Sequence, residues 1–227
     1  MYEFSDYFHV FVERHSDIIA SLLKHLQISG IAILLGCIVA IPLGVFLAKT
    51  SIGWIKSLVF TITNIFQTIP SLAMLAIFIP LIGIGMKPAI VALFLYSLMP
   101  ILRNTYAAFE SIDPGIIESA KGMGYNAMQR MIHVEVPIAM PYIMSGVRLT
   151  MVYIINWATL AGLIGAGGLG QLIIGGMGVN NKPLIFAAAI MAMVLALVAD
   201  FVFAKFENLF KKKENRKQIP IQMEESV

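Results

Sequence analysis

The sequence predicts an all-α polytopic membrane protein with about five transmembrane helices, and three observations carry that expectation. Of its 227 residues, 59% are hydrophobic and 13% charged, with a mean hydropathy of +0.84. Soluble domains carry roughly a quarter charged residues. The apolar residues gather into long runs able to cross about 30 Å of hydrocarbon as helix, the one form in which a single segment satisfies its own backbone in lipid. Between the third and fourth runs lies one polar island, at about 110–136.

The elements follow in order. Residues 1–25 mix apolar Phe4, Phe8, Phe11, Ile18, Ile19, Leu22 and Leu23 with charges, and predict an amphipathic helix at the outer interface. They include Glu3, Asp6, Glu13 and Asp17 and lack a basic start followed by an apolar core. No cleavable signal is therefore expected, and the first span would direct its own insertion. Leu26–Ala48 is the first span and Ser57–Met86 the second, with irregular ends. Pro88–Leu102 is the third, extendable through Ala107 and Ala108. Val136–Leu163 is the fourth, interrupted by Arg148, and Pro183–Phe203 the fifth, with Asp200 near its end. The transmembrane domain is thus expected over 26–205. A basic tail, 206–227, is charged from Lys211, contains Pro220 and shows no periodicity, so it is expected to be disordered.

Basic residues orient the bundle. Lys49, Lys56, Arg103, Lys121, Arg130, Lys205, Lys211, Lys212, Lys213, Arg216 and Lys217 fall on the side of the polar island, eleven of sixteen. Arg14, Lys24, Lys87 and Lys182 fall on the other, and Arg148 within a span. The island and the tail are therefore expected in the cytoplasm, and an odd number of spans puts the N-terminus outside.

Four features invite a functional reading. In the island, Asp113 and Pro114 form a helix start, with Asp as cap and Pro at the first position. Gly122 and Gly124 permit a sharp turn. Second, Gly165, Gly167, Gly168 and Gly170 satisfy G-x-G-x-x-G, but no acidic residue follows at about twenty positions and the run lies among apolar segments, which excludes a dinucleotide site. These glycines either let a loop dip into the bundle and line a pathway, or let helices pack closely. Third, Pro70 within the second run favours a kink, and Gln67, Thr68 and Ser71 beside it either satisfy freed backbone groups or face a polar pathway. Fourth, Arg103, Arg148 and Asp200 are ionisable groups in or near spans, where they are expensive; Arg103 and Asp200, near the inner interface, could snorkel or pair. Cys37 reads as a small apolar helix residue, and His9, His15, His25 and His133 form no catalytic or metal pattern. Tyr96, Tyr106, Tyr153 and Trp157 are scattered aromatics, read mainly as packing or interface anchors.

The island carries Glu118, Ser119, Ala120, Gly124, Val134, Val136 and Pro137 in the pattern E-[AS]-A-x3-G-x9-[IV]-x-[LV]-P. This resembles the coupling loop of the permease subunits of binding-protein-dependent ABC importers. Segments 64–76, 88–97, 100–106 and 157–170 resemble, within that class, the importers of glycine betaine, carnitine, choline and related quaternary ammonium osmoprotectants. The likeness covers roughly 25–205. Ser119, Val134 and Val136 are small departures from the commonest Ala, Ile and Leu.

The resemblance implies a type I ABC importer permease that forms the translocation pathway and does not hydrolyse ATP. Glu118, Ala120, Gly124 and Pro137 would make the coupling contact. Gln67, Thr68, Pro70, Ser71, Trp157, Gly165, Gly167 and Gly168 are the pathway or gating candidates. The implied partners are two ABC ATPase subunits, a second permease copy or paralogue, an extracellular substrate-binding protein, the bilayer and a small-molecule substrate, with no nucleic acid. No Walker A pattern occurs, so no cofactor is expected here, and ATP and magnesium would sit on the ATPase. An importer of another solute such as methionine is the alternative. An ion-coupled carrier is less favoured, for want of a paired acid in mid-span.

Overall fold

The computed structural model describes residues 4–218, with side chains over 4–210. Ten α-helices make up the described chain: α1 (Asp6–Glu13), α2 (His15–Lys49), α3 (Gly53–Thr68), α4 (Ser71–Ile82), α5 (Met86–Glu110), α6 (Pro114–Gly122), α7 (Ala127–Arg130), α8 (Val136–Ala158), α9 (Leu169–Gly178) and α10 (Lys182–Gln218). A π-helical turn, Met131–Glu135, joins α7 to α8, and a 3-10 turn, Leu160–Ile164, follows α8.

Four stretches are long and apolar enough to span a membrane: α2, α5, Ala127–Ala158, and α10 through Phe210. Helices α3 and α4 are apolar enough to pass only together, and they meet at 98°. Four continuous helices, or five crossings when the bent pair is counted as one, stand where five spans are expected. The bend has a local cause. Pro70 pushes Ile69 before it into extended backbone (φ −70°, ψ 127°), and Pro70 is itself extended (ψ 139°).

Helix α5 is the centre of the bundle, packed by α2 on one side and α8 on another, with α10 against α8. Small residues set the close approaches. A Cβ on Gly36 would lie 2.1 Å from Ser97 Oγ, and one on Gly44 2.8 Å from Thr105, so α2 rides directly on α5. One apolar cluster, around Ile28, Ala92, Tyr96, Met151 and Ile154, fills the half near the Gly-rich turn. A second, around Leu47, Leu102, Phe109, Ile143 and Val147, fills the half near the polar island.

Two expectations are corrected. Residues 1–25 hold two helices rather than one: the chain breaks at Arg14, and α2 runs unbroken from His15 into the first span. Short α1 packs against α10, where Val10 joins Ile18, Leu184 and Ala187. The tail, read as disordered, begins as a helical continuation of α10 to Gln218. Its run of Lys, Glu, Asn and Arg contains no Gly or Pro before Pro220, so a helix already nucleated upstream can extend through it. Residues 219–227 of that tail lie outside the described residues.

Candidate functional site

The polar island folds into two short capped helices projecting from one end of the bundle. Asp113 accepts a hydrogen bond from the Gly115 backbone N–H at 2.7 Å, with Pro114 first in α6, as the sequence predicts. The helix ends where Gly124 enters the left-handed region at φ +83°. There Tyr125 N–H bonds Ala120 O (3.1 Å) and Gly124 N–H bonds Lys121 O (2.9 Å), the paired 6→1 and 5→2 closure of a Schellman motif. Asn126 then caps α7 in a reciprocal box with Gln129, each bond 2.9 Å. Glu118 is exposed on α6, while Ala120 on the same helix is buried. Met123 (70% exposed), Met128 (67%) and Ile132 (55%) stand out from the surface of this unit. Pro137 lies exposed in the first turn of α8, where its missing N–H is tolerated.

Beneath the loop sits a group that sequence reasoning missed. Glu135 ends the π turn and is 1% exposed. Arg130 Nε donates to its Oε1 at 3.1 Å, and Lys49, the last residue of α2, pairs with its Oε2. Nearby, Lys56 on α3 donates to Tyr106 Oη and Glu110 on α5, each at 3.3 Å.

At the α3–α4 bend, Gln67 donates to the Tyr96 carbonyl, and the Tyr96 hydroxyl donates to the Ile69 carbonyl that the bend leaves without a helical partner. Thr68 Oγ1 folds back onto Ile65 O at 2.8 Å, Pro70 is exposed, and Ser71 begins α4 half-buried. The Trp157 ring packs on Tyr96 (centroids 4.6 Å) and stacks with Tyr153 (6.1 Å). Three of the four scattered aromatics therefore form one ladder, from Tyr96 in the core to exposed Tyr153; Tyr106 lies apart, against Phe60.

The Gly-rich turn closes the end opposite the loop. Gly165, Gly167 and Gly168 all have positive φ (68°, 89°, 78°). A Cβ on Gly168 would press on His25, and one on Gly170 would meet Thr159 O at 1.8 Å. His25 is fully buried and its Nε2 donates to Ile155 O at 2.9 Å, while Gly85 N–H donates to Ile164 O at 2.8 Å. The turn is thus tied to α2, α5 and α8 at once. Gly168 is buried, Gly167 half-buried and Gly165 exposed.

Arg148 forms a bidentate pair with Asp200 (2.7 and 2.8 Å) and also reaches Glu207 (3.2 Å), joining α8 to α10 beside a cavity of about 600 Å³. Asp200, expected near the inner interface as a group that could snorkel or pair, is thus paired, and its partner is Arg148.

A bundle of apolar helices, with one bent pair, thus carries a capped apolar knob at one end. The chain belongs to the family of binding-protein-dependent transport system inner membrane components, matched over residues 40–212. It is 47% identical to the glycine betaine/carnitine/choline transport system permease protein OpuCB of Bacillus subtilis (strain 168), over 81% of this chain and 84% of that one. It is 43% identical to the carnitine transport permease protein OpuCB of Listeria monocytogenes, over 87% and 89%. Among solved structures, an inward-facing form of the MetNI methionine ABC transporter superposes with a TM-score of 0.77 at 25% identity, covering 87% of this chain and 98% of that one.

Proposed function

We propose that this chain is the pathway-forming permease of an ATP-driven importer of quaternary ammonium osmoprotectants. The observation that carries the class is the loop. Its helices are capped at both starts and closed by Gly124, so their shape is fixed before any partner arrives. Exposed Met123, Met128 and Ile132, at the loop end of the bundle, supply a knob for an apolar groove on an ATPase subunit. Adaptable Met side chains suit such a surface. Exposed Glu118 is the polar contact that fixes the knob's orientation, and buried Ala120 accepts the Tyr125 backbone N–H that closes the helix. The substrate class rests on the relatives, whose names include glycine betaine, carnitine and choline.

In operation, two permease halves flank one pathway and two ATPase subunits, which carry ATP and magnesium, seat the two loops. Closure of the ATPases moves the loops, and the spans tilt between inward-open and outward-open. A binding protein delivers solute at the end of the Gly-rich turn. Gln67, Thr68, Pro70 and Ser71 lie at the α3–α4 bend, with Trp157 of α8 packed on Tyr96 beside it, where a change of bend would open or close the route.

The test is uptake of labelled carnitine, glycine betaine and choline into proteoliposomes holding this chain with its ATPase, second permease and binding protein, with and without internal ATP. ATP-dependent accumulation of one of them is expected. Retained ATPase association without uptake of any would keep the class and remove the substrate assignment. Gradient-driven uptake without ATP would remove the class.

A further inference from the structure

Glu135 occupies the variable position of the motif between Val134 and Val136, and no part of the functional reading above uses it. Yet it is the most enclosed carboxylate among the described residues, 1% exposed, and it holds cations from two different elements. Arg130 precedes it by five residues. On a regular helix of 3.6 residues per turn that spacing points two side chains to different faces. The turn between them is π-helical, closed by Val136 N–H to Met131 O, and its wider winding brings Arg130 Nε within 3.1 Å of Glu135. Such single π turns are frequent at functional sites. On the other side Lys49, the end of α2, pairs with the same carboxylate and lies 5.7 Å over the Phe109 ring near the end of α5. One buried side chain thus gathers the knob, the start of α8 and the ends of α2 and α5.

A buried ion pair is a weak stabiliser, because desolvation offsets most of the attraction. What it supplies is one defined geometry, lost if either partner moves away. We propose that Glu135 is the positioning residue through which movement of the loop is carried into the membrane helices: Arg130 clamps the loop to α8 across the π turn, and Lys49 clamps both to α2. The proposal rests on the loop being the ATPase contact and assigns Glu135 a role distinct from Glu118, which faces outward.

The experiment uses the complete reconstituted transporter with Glu135→Gln, Lys49→Gln and the double variant. The readout is solute accumulated per ATP hydrolysed, beside assembly with the ATPase and thermal stability. Glu135→Gln is expected to assemble and hydrolyse ATP while the ratio falls by about tenfold or more, within the roughly 5- to 150-fold range of coupling between sites. The double variant should be no worse than Glu135→Gln alone, because both changes act through one pair. A lowered melting temperature with an unchanged ratio would mean a structural role only and would overturn the proposal. If Glu135→Gln does not assemble, Lys49→Gln decides: a reduced ratio supports the joint and a wild-type ratio overturns it. If the wild-type complex accumulates none of the solutes tested, the substrate reading fails separately. The joint is then read from stimulation of ATP hydrolysis by the binding protein, which Glu135→Gln must lose for the proposal to stand.

Discussion

Gly124 shows how one residue can carry a loop. Its φ of +83° lets the α6 carbonyls be closed by backbone N–H groups, and a Cβ there would meet no atom within 4 Å. The difficulty for a side chain is therefore conformational, about 1–2 kcal/mol for an L-residue in the left-handed region, more for a β-branched one. Gly124→Val is expected to reach the membrane at near wild-type abundance but to lose ATP-driven uptake, because the knob loses its shape while the distant core is untouched. Glu118→Lys should behave alike for a different reason: the side chain is exposed, so stability should move by less than about 0.5 kcal/mol while the partner contact reverses in charge. Immunoblots of membranes alongside uptake check both, and normal uptake by either variant removes the role assigned to that residue. Arg148 is a contrasting case. Its guanidinium is one-third exposed and engaged by Asp200 and Glu207. Arg148→Met should destabilise the detergent-solubilised protein by roughly 1–2 kcal/mol, below the 3–5 kcal/mol of a fully buried pair. Asp200→Asn on that background should cost less than on the wild type, a coupling that thermal unfolding of the four combinations can read. The glycine, the acidic cap and the proline of the loop were legible in the sequence because each acts on its nearest neighbours. Glu135 was not, since its partner Lys49 is remote in the chain and its companion Arg130 reaches it only through a π turn.

The bent pair α3–α4 is the element on which conformational change is easiest to picture. Two devices hold its 98° angle: Pro70, which biases Ile69 away from helix, and the Tyr96 hydroxyl, which satisfies the Ile69 carbonyl. Pro70→Ala alone leaves the hydroxyl in place, and Tyr96→Phe alone leaves the proline, with a net loss of about 0.5–1.5 kcal/mol for the hydrogen bond. The double variant should straighten the pair and lengthen the distance between spin labels at exposed Ile62 and Ile77, with uptake falling in parallel. An unchanged distance distribution would mean that packing of α3 and α4 on α5, rather than these two groups, sets the angle. The kink was readable from Pro70, but its size was not, because it depends on Tyr96, which comes from another helix. The tail was misread for the opposite reason. Its charge argued for disorder, while the long α10 before it supplied a nucleus that residue-by-residue composition does not register. At the N-terminus the charged first 25 residues concealed that α2 begins at His15, because Ile18, His25 and Ser29 along it are buried by other helices remote in the chain.

At the scale of the whole molecule, the fold gives two unlike ends, and function requires that they face opposite compartments. The loop end gathers Lys49, Lys56, Lys121 and Arg130, while the Gly-rich end presents α1 and the start of α10. Basic residues near span ends are retained in the cytoplasm. Chain order agrees: with the bent pair counted as one crossing, the helices alternate direction, and α10 ends on the side of the loop. The charge bias was legible without any structure because it depends only on which residues flank each apolar run. The expected orientation therefore has the N-terminus outside and the loop inside, and labelling in a Cys37→Ala background can read it. Ser5→Cys, exposed before α1, should react with a membrane-impermeant maleimide in intact protoplasts. Ser119→Cys, exposed beside Glu118, should react only after the membrane is opened, and bound ATPase should shield it. That shielding links orientation to mechanism. A Ser119→Cys thiol that reacts from outside would separate the loop from any ATP-hydrolysing partner, and a thiol that reacts inside with or without the ATPase would move the docking contact elsewhere on this face.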